Sequence, residues 1–452
     1  MFLSDFRYLR SGLMPTTLDP HSPPTEVPQD MTGSPRQVAT GRISFRKTFS
    51  AFKHRNFRLY FVGQLISFTG SWMTTTAQGW LVYQLTGSKA LLGIVAAAAS
   101  APMLVFATLG GWMADRYPKR SVIVCTQISS MLLSLAMAAL VWTKIVQPWQ
   151  IIGLAVLGGI TMAFDMPARQ SFVIEMTSRE DLMNAISLNS SAFNCARIVG
   201  PSIAGLLMAH ISIAACFLCD GLSFIPVIAG LLLMRLPKKE TQIASGRGPI
   251  GQALEGFGYV WNHRRVLTIL SLFTVVGIFG WSYSVLMPAF AHDVLHLGAN
   301  GYGLLMAGSG VGALSAALTV ASAGHLLSTR TMALGGVWIF SVALVLFAFT
   351  RNLYVGVVLL AFVGFGLVLY FSTSNTVLQS IVPDEMRGRV MGIWALIFGG
   401  MIPLGSLEAG LVADLLGTPA TMAVGALICA LAAFVTLHVI RKREAQLGPA
   451  AR

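Results

Sequence analysis

The sequence predicts an all-α membrane protein with twelve transmembrane helices in two pseudo-symmetric six-helix bundles. Three observations lead there. Only 11% of the 452 residues are charged and 55% are hydrophobic, with a mean hydropathy of +0.70, whereas a soluble domain uses about 25% charged residues to face water. Twelve stretches are apolar over the roughly 20 residues that a bilayer-spanning helix needs. The two halves of the chain also share a motif at a fixed offset.

Taken in order, residues 1–50 are rich in Pro, Ser, Thr and Arg and contain no apolar core of the kind a signal peptide needs. They read as a disordered cytoplasmic tail. A first bundle over 51–236 holds spans at about 59–83, 91–114, 121–142, 149–171, 185–209 and 213–235. A polar stretch at 237–265 reads as a cytoplasmic linker. A second bundle over 266–441 holds spans at about 266–290, 301–323, 331–350, 353–375, 390–414 and 419–440, and 442–452 is a second cytoplasmic tail. Each span is expected to be helical, because backbone amides have no water to bond in hydrocarbon. Small residues are dense, as in Gly308-Ser309-Gly310-Val311-Gly312, and let neighbouring helices approach closely.

Charge sets the expected orientation. With both termini in the cytoplasm, 27 Lys and Arg fall on the inner side and only Lys89, Lys144 and Arg351 on the outer side, while Arg197 lies within a span. That bias places the chain in the plasma (inner) membrane with both ends inside. The net charge of +13 therefore reflects membrane topology, and its spread over many short loops argues against a nucleic-acid partner. The five cysteines all sit in apolar segments, and the spacing of Cys216 and Cys219 has no second pair to complete a metal site. They read as small buried residues.

The repeat is specific. Gly200-Pro201-Ser202-Ile203-Ala204-Gly205-Leu206 matches Gly405-Ser406-Leu407-Glu408-Ala409-Gly410-Leu411 in the frame G-x-x-x-A-G-L, 205 residues apart. A parallel duplication of six-helix bundles is a transporter architecture, with the substrate cavity between the halves near the midplane.

This layout, together with "GGWMADRYPKR" at 110–120, resembles the major facilitator superfamily, whose loop between the second and third helices reads roughly G-x-x-x-D-R-x-G-R-R. Gly111, Asp115, Arg116 and Arg120 match, while Pro118 and Lys119 depart from the pattern and put the turn geometry in question. Residues 164–207, "FDMPARQSFVIEMTSREDLMNAISLNSSAFNCARIVGPSIAGLL", are similar to the enterobactin-exporter-like branch, also described as transmembrane secretion effectors. The resemblance implies that Asp115 meets a basic side chain and the N-terminus of the eleventh span when the halves close on the cytoplasmic side, forming a latch. Arg169 is a candidate partner, and a loop merely held at the interface by its bases is the alternative.

Arg197 is the sharpest single residue. It lies about 18 Å along its helix, from ~1.5 Å per residue, close to the midplane, where an Arg costs at least ~2.5 kcal/mol and rarely faces lipid. Ser190, Asn194, Arg197, Pro201 and Gly205 share one face, a stripe polar below and small above, as expected for a cavity-lining helix. A structural Arg paired with a neighbouring helix is the alternative. Gly200-Pro201 with Gly205 resembles the antiporter signature of exporting members, although Gly and Pro are common in membrane helices.

Three intramembrane acids complete the candidates. Asp165 has Arg169 as its i+4 neighbour, so gating and a local ion pair are both open. Asp220 and Glu408 are candidates for proton coupling, since desolvation penalises a charged carboxylate and lets a buried acid take up and release a proton. Trp72, Trp80, Phe164, Trp281 and Trp394 are more often core or interfacial residues, so at most one or two are expected to touch substrate.

The resulting expectation is a secondary, proton-coupled exporter of a small amphipathic molecule such as a siderophore, drug or metabolite, working by alternating access as a monomer in the lipid bilayer. No P-loop for ATP appears and no cofactor is expected, the proton gradient supplying the energy. A nutrient importer of the same fold is the nearest alternative. A polytopic membrane enzyme or sensor is disfavoured by scattered histidines and by the lack of a segment long enough for a soluble domain.

Overall fold

The computed structural model describes residues 50–178, 180–235, 249–281, 283–323 and 328–447. The expected tail at 1–50, apart from its last residue, and most of the expected tail at 442–452 lie outside the described residues or their side chains. Described elements are helical, beginning with a 3₁₀ turn at Ser50–Lys53. Six helices follow: α1 Arg55–Thr86, α2 Lys89–Arg116, α3 Lys119–Trp142, α4 Pro148–Met176, α5 Leu182–His210 and α6 Ile213–Leu233. A short α7, Pro249–Asn262, occupies part of the expected linker. The second set is α8 Arg264–Val294, α9 Ala299–Ala323, α10 Thr329–Phe349, α11 Leu353–Ile381, α12 Asp384–Leu416 and α13 Thr418–Leu447.

Eleven of these helices are long and apolar enough to cross a membrane. The twelfth span is α1, whose 32 residues are interrupted by polar side chains. Gln64, Ser67 and Thr76 are buried in α1, on faces covered by α5 and α6. Because α1 turns its polar residues toward protein, hydropathy alone underrates it.

Helix ends follow local chemistry. Gly87 closes α1 in the left-handed region at φ 62°, a conformation that glycine adopts without a Cβ clash. Ser88 caps α2 by accepting from Leu91 N at 3.2 Å, and Gln147 and Gln150 form a capping box at the start of α4. The departure from the superfamily loop proves compact: only Tyr117 and Pro118 separate α2 from α3.

The two halves pack alike. In the first, α1 lies against α5 and α6, α2 against α4, and α3 against α4 and α6. In the second, the equivalent pairs are α8 with α12 and α13, α9 with α11, and α10 with α11 and α13. The duplicated G-x-x-x-A-G-L motif performs the same task twice. A Cβ built on Gly303 of α9 would lie 2.8 Å from the Cα of Gly205, and one built on Gly410 would lie 3.0 Å from the Cα of Gly93 in α2. Each motif helix therefore crosses a helix of the opposite bundle backbone to backbone, which only small residues permit. Ala204 and Ala409 are both fully buried.

We call the face where α1 begins and α2 ends the basic face, and the other the far face. The inter-bundle crossings, α2 with α12 and α5 with α9, tighten toward the far face. Toward the basic face a Cβ on Gly111 of α2, or on Gly388 or Gly392 of α12, would meet nothing within 4 Å. The bundles thus form a cleft that opens at the basic face. Within the second bundle, Glu255 of α7 pairs with Arg389 of α12 at 2.7 Å, so the linker helix docks on that bundle.

Candidate functional site

The cleft ends at Arg197. One turn above it, Gly200 brings α5 against α1, where an added Cβ would lie 2.6 Å from Trp72 Cβ. At the same height a Cβ on Gly310 of α9 would lie 2.9 Å from the Arg197 carbonyl oxygen. These approaches fix the backbone around Arg197 where the bundles begin to separate. Its guanidinium sits between two indoles, 5.6 Å from the Trp72 centroid and 5.8 Å from that of Trp281. Trp72 belongs to the first bundle and Trp281 to the second, so one side chain bridges both. Trp281 directly follows a π-helical segment of α8, Val276–Gly280, a local widening frequent at functional sites.

Magnitudes explain why Arg197 is tolerated. A cation–π contact is worth about 0.5–2 kcal/mol, so two of them roughly match the ~2.5 kcal/mol cost of an Arg at mid-bilayer. Tyr283, which pairs with Ser309 at 2.9 Å, is a polar neighbour. The rest of the stripe behaves as its composition suggests. Ser190 is exposed, Asn194 is half-buried and bonds the Ser190 carbonyl at 2.8 Å, and Pro201 and Gly205 are buried.

Polar contacts close the far face between the bundles. The Tyr83 hydroxyl of α1 donates to Asp293 of α8, which also contacts His292 at 2.9 Å. Trp80 stacks on Tyr302 of α9 at 5.6 Å. Asp414 of α12 accepts from the first backbone amides of α2, Lys89 N at 3.1 Å and Ala90 N at 3.2 Å. A carboxylate at a helix N-terminus is favourable because the exposed amides carry about half a positive charge.

At the basic face the sequence-predicted latch residues lie apart. Asp115 is exposed and takes part in no ion pair among the described residues. Arg116 covers the Trp112 ring at 5.6 Å, and Gly111 has open space beside it. Arg120 donates to the Leu232 carbonyl at 2.7 Å, binding the C-terminal end of α6, and Lys119 pairs with Glu175 of α4 at 2.7 Å. Arg169 pairs with Asp165 rather than with Asp115. Asp165 is buried and also accepts from Thr126 at 2.6 Å and Gln127 at 3.1 Å, so it ties α4 to α3. Outside the membrane, Asp181 receives Lys53 at 2.7 Å and His54 at 2.8 Å. The Lys53 hydrogen bond, then that from His54, hold its carboxyl well below the usual range.

The two coupling candidates differ. Asp220 is buried where α1, α3 and α6 meet, its Oδ2 accepting from Thr74 at 2.9 Å and Ser134 at 2.7 Å while Oδ1 has no partner among the described residues. Glu408 is half-buried in α12, one residue before the fully buried Ala409 of the repeat.

Sequence reasoning passed over Asp293, Asp414 and Tyr83. They lie at the edges of spans, where a charge is cheap and composition gives no reason to single it out. For Asp414 a signal existed in principle, since the duplicated motif predicts which helix its end crosses.

Comparison with known proteins agrees with this architecture. The family described as transmembrane secretion effector matches residues 46–451. The chain is 31% identical to the multidrug efflux pump Tap of Mycolicibacterium fortuitum, over 84% of this chain and 94% of Tap. It is 26% identical to the staphyloferrin A transporter of Staphylococcus aureus, over 86% and 98% of the two chains, and 25% identical to the enterobactin exporter EntS of Shigella flexneri, over 75% and 81%. Among solved structures, the nucleoside transporter NupG superposes with a TM-score of 0.71 at 13% identity, covering 85% of this chain and 99% of NupG.

Proposed function

The chain belongs to the transmembrane secretion effector family and is a transporter of small molecules, and from that membership we propose that it is a proton-coupled exporter working by alternating access. Export is what the relatives with efflux and exporter names have in common. A siderophore, a drug or a related amphipathic metabolite is the proposed cargo, and the chain is proposed to act as a monomer. The basic face is the cytoplasmic one under this reading, because Lys and Arg are retained there, which puts both termini inside at the plasma membrane.

The observation that carries the reading is the cleft itself. Among the described residues the close backbone approaches between the bundles lie toward the far face, and at the apex a cationic side chain contacts both bundles. Under the assigned orientation the cleft faces the cytoplasm, ready to load cargo from inside. Rocking toward the other state would bring Asp115 to the N-terminus of α12 and separate Asp414 from α2.

Proton coupling is assigned to Glu408 or Asp220, neither of which has a cation partner among the described residues. A carboxylate in a low-dielectric site is costly when charged and unpaired, so protonation and release can be tied to which face is open. Everted membrane vesicles with an imposed pH gradient test this, using a panel of fluorescent drugs and metal-free siderophores. Accumulation that nigericin collapses supports the reading, and accumulation indifferent to the gradient rejects proton coupling. Glu408→Gln should uncouple uptake if that residue carries the proton, whereas wild-type behaviour transfers the role to Asp220, tested by Asp220→Asn.

A further inference from the structure

We propose that Arg197 is the recognition point for a negatively charged group, so that the preferred cargo is an anion bearing a carboxylate or similar acid on an apolar, aromatic body. The inference rests on the exporter reading and adds the chemical class of what is exported.

The argument begins with charge. Arg197 has no carboxylate within 4.0 Å of its guanidinium among the described residues. The other basic side chains next to the membrane interior are committed: Arg169 to Asp165, Lys119 to Glu175, Arg120 to the α6 carbonyls. Arg197 is held by the two π faces and the neutral Tyr283 hydroxyl, which steady the cation without neutralising it. The guanidinium has five N–H donors, so beyond the Tyr283 contact its edge still presents a fork of donors matched to the two oxygens of a carboxylate.

Its surroundings describe the rest of the cargo. Phe193 packs edge-on against both Phe68 and Trp72 on the first-bundle side. On the second-bundle side Trp281, Phe371, Phe398 and Trp394 form a continuous aromatic cluster. No acidic side chain is among them, so a cationic cargo would meet an unbalanced like charge at the apex, whereas an aryl acid would pair its charge and stack its ring. The two tryptophans come from opposite bundles, so a group bound at Arg197 contacts the one place where relative motion of the bundles is felt.

Equilibrium dialysis of the purified full chain in detergent tests this with a matched pair of probes, radiolabelled 2-naphthoate and 2-naphthylmethylammonium, alike in shape and opposite in charge. Saturable binding of naphthoate that the ammonium compound does not displace is expected. Arg197→Gln should weaken it by roughly ten- to a hundredfold, the worth of a charge-assisted hydrogen bond, while Arg197→Lys should retain part of it. Equal binding of both probes, no saturable naphthoate binding by the wild-type chain, or unchanged binding by a folded Arg197→Gln variant would each overturn the proposal. Ethidium efflux by the wild-type chain in cells separates the two claims. Export of dye by a wild-type chain that binds no naphthoate leaves the exporter reading intact and removes only the anion site.

Discussion

The same two helices, α2 and α12, are treated oppositely at their two ends. At the far face a Cβ on Gly410 would lie 2.7 Å from the Lys89 carbonyl oxygen, and Asp414 receives the opening amides of α2. At the basic face Gly111 and Gly388 have open space, and Asp115 stands exposed near the end of α2. Each end has a carboxylate on one helix that can address the N-terminus of the other, Asp414 toward α2 and Asp115 toward α12. Two rigid bundles cannot engage both ends together, so under the proposed rocking the acids would act as alternating latches on one seesaw. The ends are not equivalent, however. The α12 N-terminus already carries Asp384 and Glu385 in its first turn, which weakens its attraction for a further carboxylate.

The largest expected effect comes from blocking the closed end. A side chain at Gly93 would press on the Ser406 carbonyl of α12, and backbone cannot yield as a flexible side chain can. Overpacking of this kind costs about 1–3 kcal/mol, comparable with the few kcal/mol that separate transporter states. Gly93→Val should abolish transport while the protein still inserts, and an impermeant maleimide should label a far-face cysteine more strongly. Normal transport would mean that the crossing is looser than its geometry.

Removing the engaged latch comes next. Asp414→Ala deletes a cap worth about 0.5–2 kcal/mol, so the far-face-open population should rise roughly two- to thirtyfold in the same labelling assay. Asp115→Asn acts on the disengaged latch and should move the population the other way, about two- to fivefold for a charge–dipole term of about 0.3–1 kcal/mol. If both variants shift labelling in the same direction, the seesaw is wrong.

These contrasts also mark what the sequence made legible. Apolar runs gave the helices and the motif offset gave the pseudo-symmetry, because lipid imposes both on composition. The stripe through Arg197 could be read because a helix fixes which residues share a face. Its indole partners could not, since Trp72 and Trp281 come from different bundles and only tertiary packing joins them. Asp115 was visible through its motif, but its exposure without an ion-pair partner among the described residues was not, because a single sequence would specify both ends of the proposed rocking motion. Asp414 and Tyr83 were missed because polar residues at span edges are common and solvated by default.

The smallest effect sharpens the comparison most. Asp181 ties Lys53 and His54, just before α1, to the start of α5, so it joins elements of one bundle and crosses no moving boundary. Asp181→Asn should therefore lower the thermal stability of the purified protein slightly and leave the labelling of both faces unchanged. The pH dependence follows from the shifts. The Asp181 carboxyl is depressed below its ordinary value of 3.8, first by the Lys53 hydrogen bond, so its stabilising contribution is present above that value and is lost only as pH falls through the depressed one. Lys53 is raised above its ordinary 10.5, chiefly by the same hydrogen bond, so its contribution is complete below that value and disappears as pH rises through the elevated one. The difference in melting temperature between wild type and variant should accordingly stay flat between those limits and shrink outside them. A change in far-face labelling would show instead that the basic-face end of the first bundle deforms during the cycle, and the two bundles would no longer rock as rigid bodies.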